Sequence, residues 1–320
     1  MAIMTYADVA RFGLAVLGLL LSLACRASGE ASPEPTGQAL RSPETGWVSL
    51  DYEAKAMSGR VSTSLALGDA SIGELSAPPY QLPADAPAPL PAQHMLVLRV
   101  EGRAKALIGG YTSEGSVWFD ARTGAVLQRD KLRPGKKPYR KVYRFADDGA
   151  FRIRLEPGNR AEAEQSPEHW TKIRENFYPY DGAGSDCAVV SEPTLLLYRV
   201  PLLDLETGGK AVSDCVFLDD SLYRVRLEPQ GRELRDVDYT VTAAGAERRV
   251  TGNREVVKVA LRVEPLTRGA DSADFELLEL RGDIAIYLDA DSRVPVALSG
   301  ERAGFGRMDI PLVRMQADPE

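Results

Sequence analysis

The chain has 320 residues, 44% of them hydrophobic and 27% charged, with 28 Gly, 21 Pro, 3 Cys and 2 His. That composition excludes a disordered tail, a collagen, a coiled coil and a disulfide knot, and the length fits one large β domain or two smaller ones. A formal net charge of -7 and a pI near 5.2 give no overall electrostatic footprint for nucleic acid or anionic lipid.

Residues 12–24 (FGLAVLGLLLSLA) are apolar or small, preceded by Arg11 and, further back, Asp8. A bilayer span needs about 20 such residues, so this run fits the hydrophobic core of a secretory signal. It ends in Leu21-Ser22-Leu23-Ala24-Cys25, which resembles a bacterial lipobox whose Cys becomes acylated. Ordinary cleavage after Ala27 or Gly29 is the competing reading, since Ala27-Ser28-Gly29 is a small-x-small site. Segment 1–25 is therefore expected to be a signal peptide ending at Cys25, the lipidation site. Residues 26–46, rich in Ser, Pro, Glu and Gly, are expected to be a flexible tether, and residues 47–316 a single β domain.

From Trp47 onward the dominant period is two. Leu50, Tyr52, Ala54 and Ala56 alternate with Ser49, Asp51, Glu53 and Lys55. The same pattern holds at Phe151, Ile153 and Leu155, at Tyr223, Val225 and Leu227, and at Val257, Val259, Leu261 and Val263. Such alternation marks half-buried strands with one wet face. Further strands are expected over 60–67, 95–100, 116–120, 141–145, 215–218, 237–241, 275–280, 284–288 and 294–298. Residues 78–93 (PPYQLPADAPAPLPAQ) hold too many prolines for a ladder and form a loop. Turn chemistry separates the strands at Ala121-Arg122-Thr123-Gly124, Asp147-Asp148-Gly149 and Asp289-Ala290-Asp291-Ser292. No internal repeat is evident. The fold class expected is mainly β: an antiparallel meander forming a curved sheet, a half-open barrel or two packed sheets.

Two helical segments are expected. Ser166-Pro167-Glu168 offers an N-cap with Pro at the first helical position, and Trp170, Ile173 and Phe177 follow at helical spacing. A shorter helix is expected near 191–199. Both read as lids or plugs on the sheet.

The order of features resembles the bacterial DUF3108 family of envelope proteins. The likeness lies in Tyr52-Glu53-Ala54 with the strand pair running to Leu67, in Phe119-Asp120-Ala121-Arg122-Thr123-Gly124, and in Leu197-Tyr198-Arg199. It ends in Asp291-Ser292-Arg293-Val294-Pro295-Val296 after an apolar strand. It covers residues 47–315, and the insertion at 78–93 and the stretch 160–185 depart from the family pattern. What it implies is a half-open β-barrel in the envelope, with no catalytic residue to carry over.

Chemical motifs are sparse. There is no G-x-S-x-G, no G-x-G-x-x-G and no phosphate-binding loop; Gly208-Gly209-Lys210 reads as a turn. With only His94 and His169 there is no H-E-x-x-H, and Asp289-Ala290-Asp291-Ser292 lacks the Gly and distal Glu of a calcium loop. Asp219-Asp220 and Arg281-Gly282-Asp283 read as turns. Residues 133–144 (RPGKKPYRKVYR) are the one basic cluster; interleaved Tyr139 and Tyr143 suit phosphate or lipid head groups, but a solvated hairpin tip is the simpler reading. Aromatics at 7% and strand faces dense in Arg and Glu argue against a membrane barrel. With Cys25 lipidated or removed, Cys187 and Cys215 remain as a pair that an oxidising compartment would bond; separate thiols are the alternative.

These readings converge on an exported, non-enzymatic envelope lipoprotein. It is expected in the periplasm, anchored through Cys25 to the outer membrane, since Arg26 is not the Asp of inner-membrane retention; soluble secretion is the alternative. Its curved sheet is expected to bind a hydrophobic ligand or an envelope protein, with no cofactor, metal or nucleic acid. A concave face filled by its own side chains would count against the ligand. Two alternatives stand beside this: a hydrolase built on Cys187, His169 and Asp186, which requires a free Cys187 thiol, and a structural envelope-assembly protein.

Overall fold

The computed structural model describes residues 45–56, 59–76, 82–84, 86–106, 110–181, 187–202 and 211–318. The expected signal segment 1–25 with Cys25, the tether up to residue 44, Asp186 and Gly208-Gly209-Lys210 lie outside the described residues, as do 78–81 and 85 of the Pro-rich stretch. No helix among the described residues is long and apolar enough to cross a membrane.

The chain is mainly β, in one large mixed sheet. Its first arm comprises β1 (Trp47–Ala56), β2 (Gly59–Asp69), β3 (Met95–Ala106), β4 (Gly110–Asp120), β5 (Val126–Arg133), β6 (Tyr139–Phe145), β7 (Gly149–Glu156) and β8 (Lys172–Pro179). Its second arm comprises β9 (Val190–Ser191), β10 (Val212–Leu218), β11 (Ser221–Ala243), β12 (Ala246–Pro265), β13 (Arg281–Asp289), β14 (Pro295–Arg302) and β15 (Gly306–Ala317). Each arm pairs its consecutive strands antiparallel, apart from the short parallel β9–β10 ladder, and β1 pairs with β15 to join the arms (Trp47 opposite Ala317, Tyr52 opposite Leu312). A parallel β11–β15 ladder folds the second arm back, but the end strands β8 and β9 do not pair, so the sheet is not a closed barrel.

The alternation seen in the sequence sorts the faces. Leu50, Tyr52 and Ala54 of β1, and Tyr223, Val225 and Leu227 of β11, are buried. The buried faces of the two arms meet: Phe217 of β10 packs its ring against Tyr143 and Phe145 of β6 and Tyr178 of β8, with centroids 5.8–6.2 Å apart. The sheet therefore bends over on itself, giving an inner and an outer face. Tyr52 locks the join from inside, its hydroxyl donating to Pro295 O at 2.7 Å.

The segment that follows the first arm and spans residues 187–202, including the two-residue β9, is called the inter-arm segment and fills the inner face. Glu192 caps a 3-10 turn (Pro193–Leu195), accepting from Leu195 N at 3.0 Å. The one-turn α-helix Leu196–Arg199 and a second 3-10 turn (Val200–Leu202) follow. Leu195, Leu196, Leu197, Tyr198 and Val200 are all fully buried. Burying five such side chains contributes on the order of 10 kcal/mol of transfer free energy before entropy is counted. The second expected helix is thus present as one α-turn flanked by 3-10 turns.

Three expectations fail, one of them the turn expected at Arg281-Gly282-Asp283, which instead opens strand β13. The helix expected from Ser166 through Phe177 is a 3-10 turn (Pro167–His169) followed by strand β8. The cap and Pro167 do start a turn, but Ile173 and Phe177 find ladder partners in Leu155 and Phe151 of β7, and pairing overrides a three-residue spacing. The strand expected over 275–280 is a tight turn in which Leu278 (φ 50°) and Glu279 (φ 67°) are left-handed and Leu277 and Leu280 exchange backbone hydrogen bonds. Left-handed backbone at two non-glycine residues costs roughly 1 kcal/mol or more each. Strands β5 and β15 and the first half of β12 show no clean alternation and were not expected.

A short local repeat emerges. Asp120 Oδ1 accepts from Arg122 N, Thr123 N and Thr123 Oγ1 at 2.8–3.0 Å. Asp289 Oδ1 accepts from Asp291 N, Ser292 N and Ser292 Oγ at 2.8–3.2 Å. Four residues after each Asp comes a left-handed residue, Gly124 or Arg293, whose N–H returns to the Asp carbonyl. The inter-arm segment meets both turns: Arg293 Nε donates to Pro201 O, and a Cβ on Gly124 would lie 3.0 Å from the Arg199 side chain.

Candidate functional site

The greatest concentration of ionisable groups lies where the inner face of β5 and β6 meets the inter-arm segment and the turns of the second arm. Alternation on β5 sends Arg129 and Lys131 inward, and alternation on β6 does the same for Lys141 and Tyr143. The register sets Arg129 opposite Tyr143 and Lys131 opposite Lys141. Cations directly across a ladder repel, so each needs its own counter-ion.

Three carboxylates supply them, and a fourth, Glu279, holds Arg302. Arg129 Nε lies 3.6 Å from Glu192 Oε2, and Lys131 Nζ lies 3.5 Å from Glu276 Oε1. Lys141 Nζ and Tyr143 Oη both donate to Asp219 Oδ1, at 2.7 and 3.1 Å. Glu279 accepts from Arg302 at 2.7 Å, and Arg302 also donates to the Tyr111 hydroxyl. Glu276 accepts as well from Arg281 at 3.1 Å. The four acids come from three separate loops, and Asp219 and Glu279 both sit on left-handed backbone.

Burial and pairing pull these groups in different directions. Burial pushes the Glu192 carboxyl up, against the pull of Arg129. Burial likewise raises Glu279 despite Arg302. For Asp219, burial would raise the carboxyl, but Lys141 and Arg129 outweigh it and hold it well below the usual carboxylate range. Burial lowers Lys141, with Asp219 opposing. Between the arms remains a cavity of about 70 Å³, lined by Arg129, Lys131, Thr194, Leu218, Glu276 and Glu279. It has room for a few water molecules and its walls are charged, which does not suit an apolar ligand.

Chemically the cluster is a clasp. Each of its named cations faces a carboxylate, and it contains neither Cys nor His among its members. Glu192 Oε2, Tyr198 Oη and Ser191 Oγ are buried without a hydrogen-bond partner. Glu192, within the inter-arm segment, is fully buried and has Arg129 as its counter-ion.

Of the residues singled out in the sequence, Lys141, Tyr143, Asp219 and Arg281 fall in the clasp, so the second half of the basic run 133–144 is buried and not a solvated hairpin tip; the cysteines and histidines lie elsewhere. Cys187 and Cys215 form a disulfide, with Cα atoms 5.5 Å apart, tying the inter-arm segment to β10. The sulfur that the hydrolase alternative needs free is therefore bonded. His169 is exposed, its Nδ1 3.1 Å from Ser166 Oγ, and His94 lies 3.6 Å from Asp69. No group of three or more His, Cys, Asp or Glu among the described residues could hold a metal ion. The clasp was not foreseen. Its trace in the sequence is confined to the basic run 133–144, which supplies Lys141 and Tyr143, and to Asp219-Asp220, and neither records the pairing.

No protein-family model matches this chain, and no curated protein or solved structure is similar to it.

Proposed function

We propose that the protein is an exported envelope lipoprotein, anchored through Cys25, that binds a partner protein on the exposed end of its sheet and catalyses no reaction. The lipobox-like segment and the short motifs that resemble those of the DUF3108 envelope proteins support the export and the anchor. The observation that carries the mode of binding is the filled inner face: where a ligand would sit, the chain places Leu195 to Val200, fully buried, beside a small charged cavity. This favours a partner protein over the hydrophobic ligand.

The surface best suited to such a partner is the sheet end at β8. Its outer edge has no ladder partner among the described strands, and Ile173 (56% exposed) and Phe177 (45% exposed) project on one face beside Leu155 and Phe151. A free edge with apolar anchors at alternate positions accepts an extended segment by strand addition. A photo-crosslinking amino acid placed at position 173 in cells, read by mass spectrometry, tests this. A single recurrent partner, lost on Phe177→Asp, is expected. Crosslinks indistinguishable from those of exposed Leu234 would overturn the proposal.

A further inference from the structure

We infer that the hairpin-tip end of the first arm is a docking surface for the anionic head groups of a phospholipid bilayer. The topology brings together what the net charge of the chain conceals. In an antiparallel meander the β1–β2, β3–β4 and β5–β6 tips fall at one end. Residues 55–60, 103–110 and 133–138 carry seven basic side chains and no carboxylate. The β7–β8 connection reaches the same end at the far edge of the sheet order and brings three acids: Glu162 is taken up by Gly158 N, Asn159 and Thr171, Glu164 lies 3.9 Å from Arg160, and Glu168 lies 3.9 Å from Arg140. The opposite end of the same arm carries Asp69, Asp147, Asp148 and Asp181.

Register makes the basic end more than a tally. Lys55 lies directly opposite Arg60, and Arg60 directly opposite Lys105, so three cations share one rung on the outer face. Like charges in such positions destabilise a ladder. Glu53 is 3.9 Å from Lys55 and 3.5 Å from Arg60, one carboxylate for two cations, while Arg103 has Glu101 at 3.1 Å. Lys105, Lys136 and Lys137 have no carboxylate at ion-pair distance among the described residues. Beside the rung, Arg103, Lys105, Tyr111 and Gly135 line an open hollow of about 430 Å³, and Arg133 stacks 4.9 Å over the Tyr111 ring. A row of cations beside a shallow hollow matches a layer of phosphates, which removes the repulsion along the rung.

A bilayer is favoured over another polyanion by the chain outside the described residues, and in this respect the inference rests on the lipoprotein reading. The 21 residues from 26 to 46 extend to at most about 70 Å, and β1, ten residues long, spans about 33 Å from Trp47 to the basic end. A lipid on Cys25 and the basic tips can thus meet the same membrane.

The test is co-sedimentation of the full chain with vesicles of phosphatidylcholine alone or with about 30% phosphatidylglycerol. Each basic side chain at an anionic surface is worth about a fivefold gain in partitioning, and salt screens it. Binding to the anionic vesicles at about 50 mM NaCl should exceed binding to the neutral ones at least tenfold and fall toward parity in about 0.5 M NaCl. The variant Lys55→Gln, Arg60→Gln, Lys105→Gln should lose most of the preference with its circular dichroism unchanged, and Lys136→Gln with Lys137→Gln should weaken it. Equal binding to both vesicles, or an unaltered preference in both variants, would overturn the inference. Displacement by millimolar inorganic phosphate would reassign the hollow to a free anion and overturn the lipid source. Acylation of Cys25 is read separately by mass, so failure here leaves the lipoprotein proposal standing, and an unmodified Cys25 with intact anionic preference leaves this one.

Discussion

Glu192 and Asp219 are both carboxylates in the clasp, yet they act on stability with opposite signs. Asp219 is held below its ordinary value of 3.8 because Lys141 and Arg129 outweigh burial. Its contribution is therefore complete above about pH 4 and is lost as pH falls below that toward its folded value. Asp219→Asn is expected to lower stability at pH 7 and to flatten the acid limb of the unfolding curve below pH 4, measured by urea melts. An unchanged acid limb would contradict the pairing. Glu192, raised by burial, costs stability as pH climbs through and above its ordinary range. Tyr198 makes a different point. Its hydroxyl is buried without a partner, and burial pushes it up to about 12. An unmade hydrogen bond contributes nothing, so Tyr198→Phe should leave stability unchanged or raise it by up to about 1 kcal/mol. A loss larger than about 1 kcal/mol in thermal melts would reveal a partner for that oxygen.

At the level of elements, the two Asp-headed turns set how the arms grip the segment between them. Asp289 is 2% exposed and satisfies two backbone N–H groups and one hydroxyl. Asp289→Ala should cost about 2 kcal/mol in a chemical melt, and Asp289→Asn less, because the amide oxygen still accepts. Both turns were readable from sequence, because Asp followed by Thr-Gly or Ser-Arg is local chemistry. So were β1, β7 and the first half of β11, where one face is wet and the period of two shows. β5 was hidden because both its faces are buried: Val126, Leu127, Gln128, Arg129 and Asp130 are all covered, which erases the alternation. β8 misled for the opposite reason. It is exposed on both faces, so Trp170, Ile173 and Phe177 imposed a helical spacing that the β7 ladder overrode.

At the scale of the whole molecule, two meanders are joined at β1–β15 and clasped by ion pairs, and the Cys187–Cys215 bond ties the inter-arm segment to β10. The clasp was illegible in the sequence because nothing local records which strands will face each other across a bent sheet. The polarity of the first arm was illegible for the same reason, since composition averages what topology sorts. The disulfide closes a loop of sequence separation 28, so replacing both cysteines with Ala should cost about 3–4 kcal/mol in a denaturant melt, and a loss below about 1 kcal/mol would place the constraint elsewhere. Export is proposed, and the inner face is filled by the chain's own Leu195 to Val200. Native mass spectrometry of protein released from its own envelope reads this most directly. The expected species begins at Cys25, carries acyl chains there, lacks two hydrogens for the Cys187–Cys215 bond and holds no further lipid. A chain that still bears its first 24 residues, or one that retains a stoichiometric lipid after delipidation of the anchor, would contradict it.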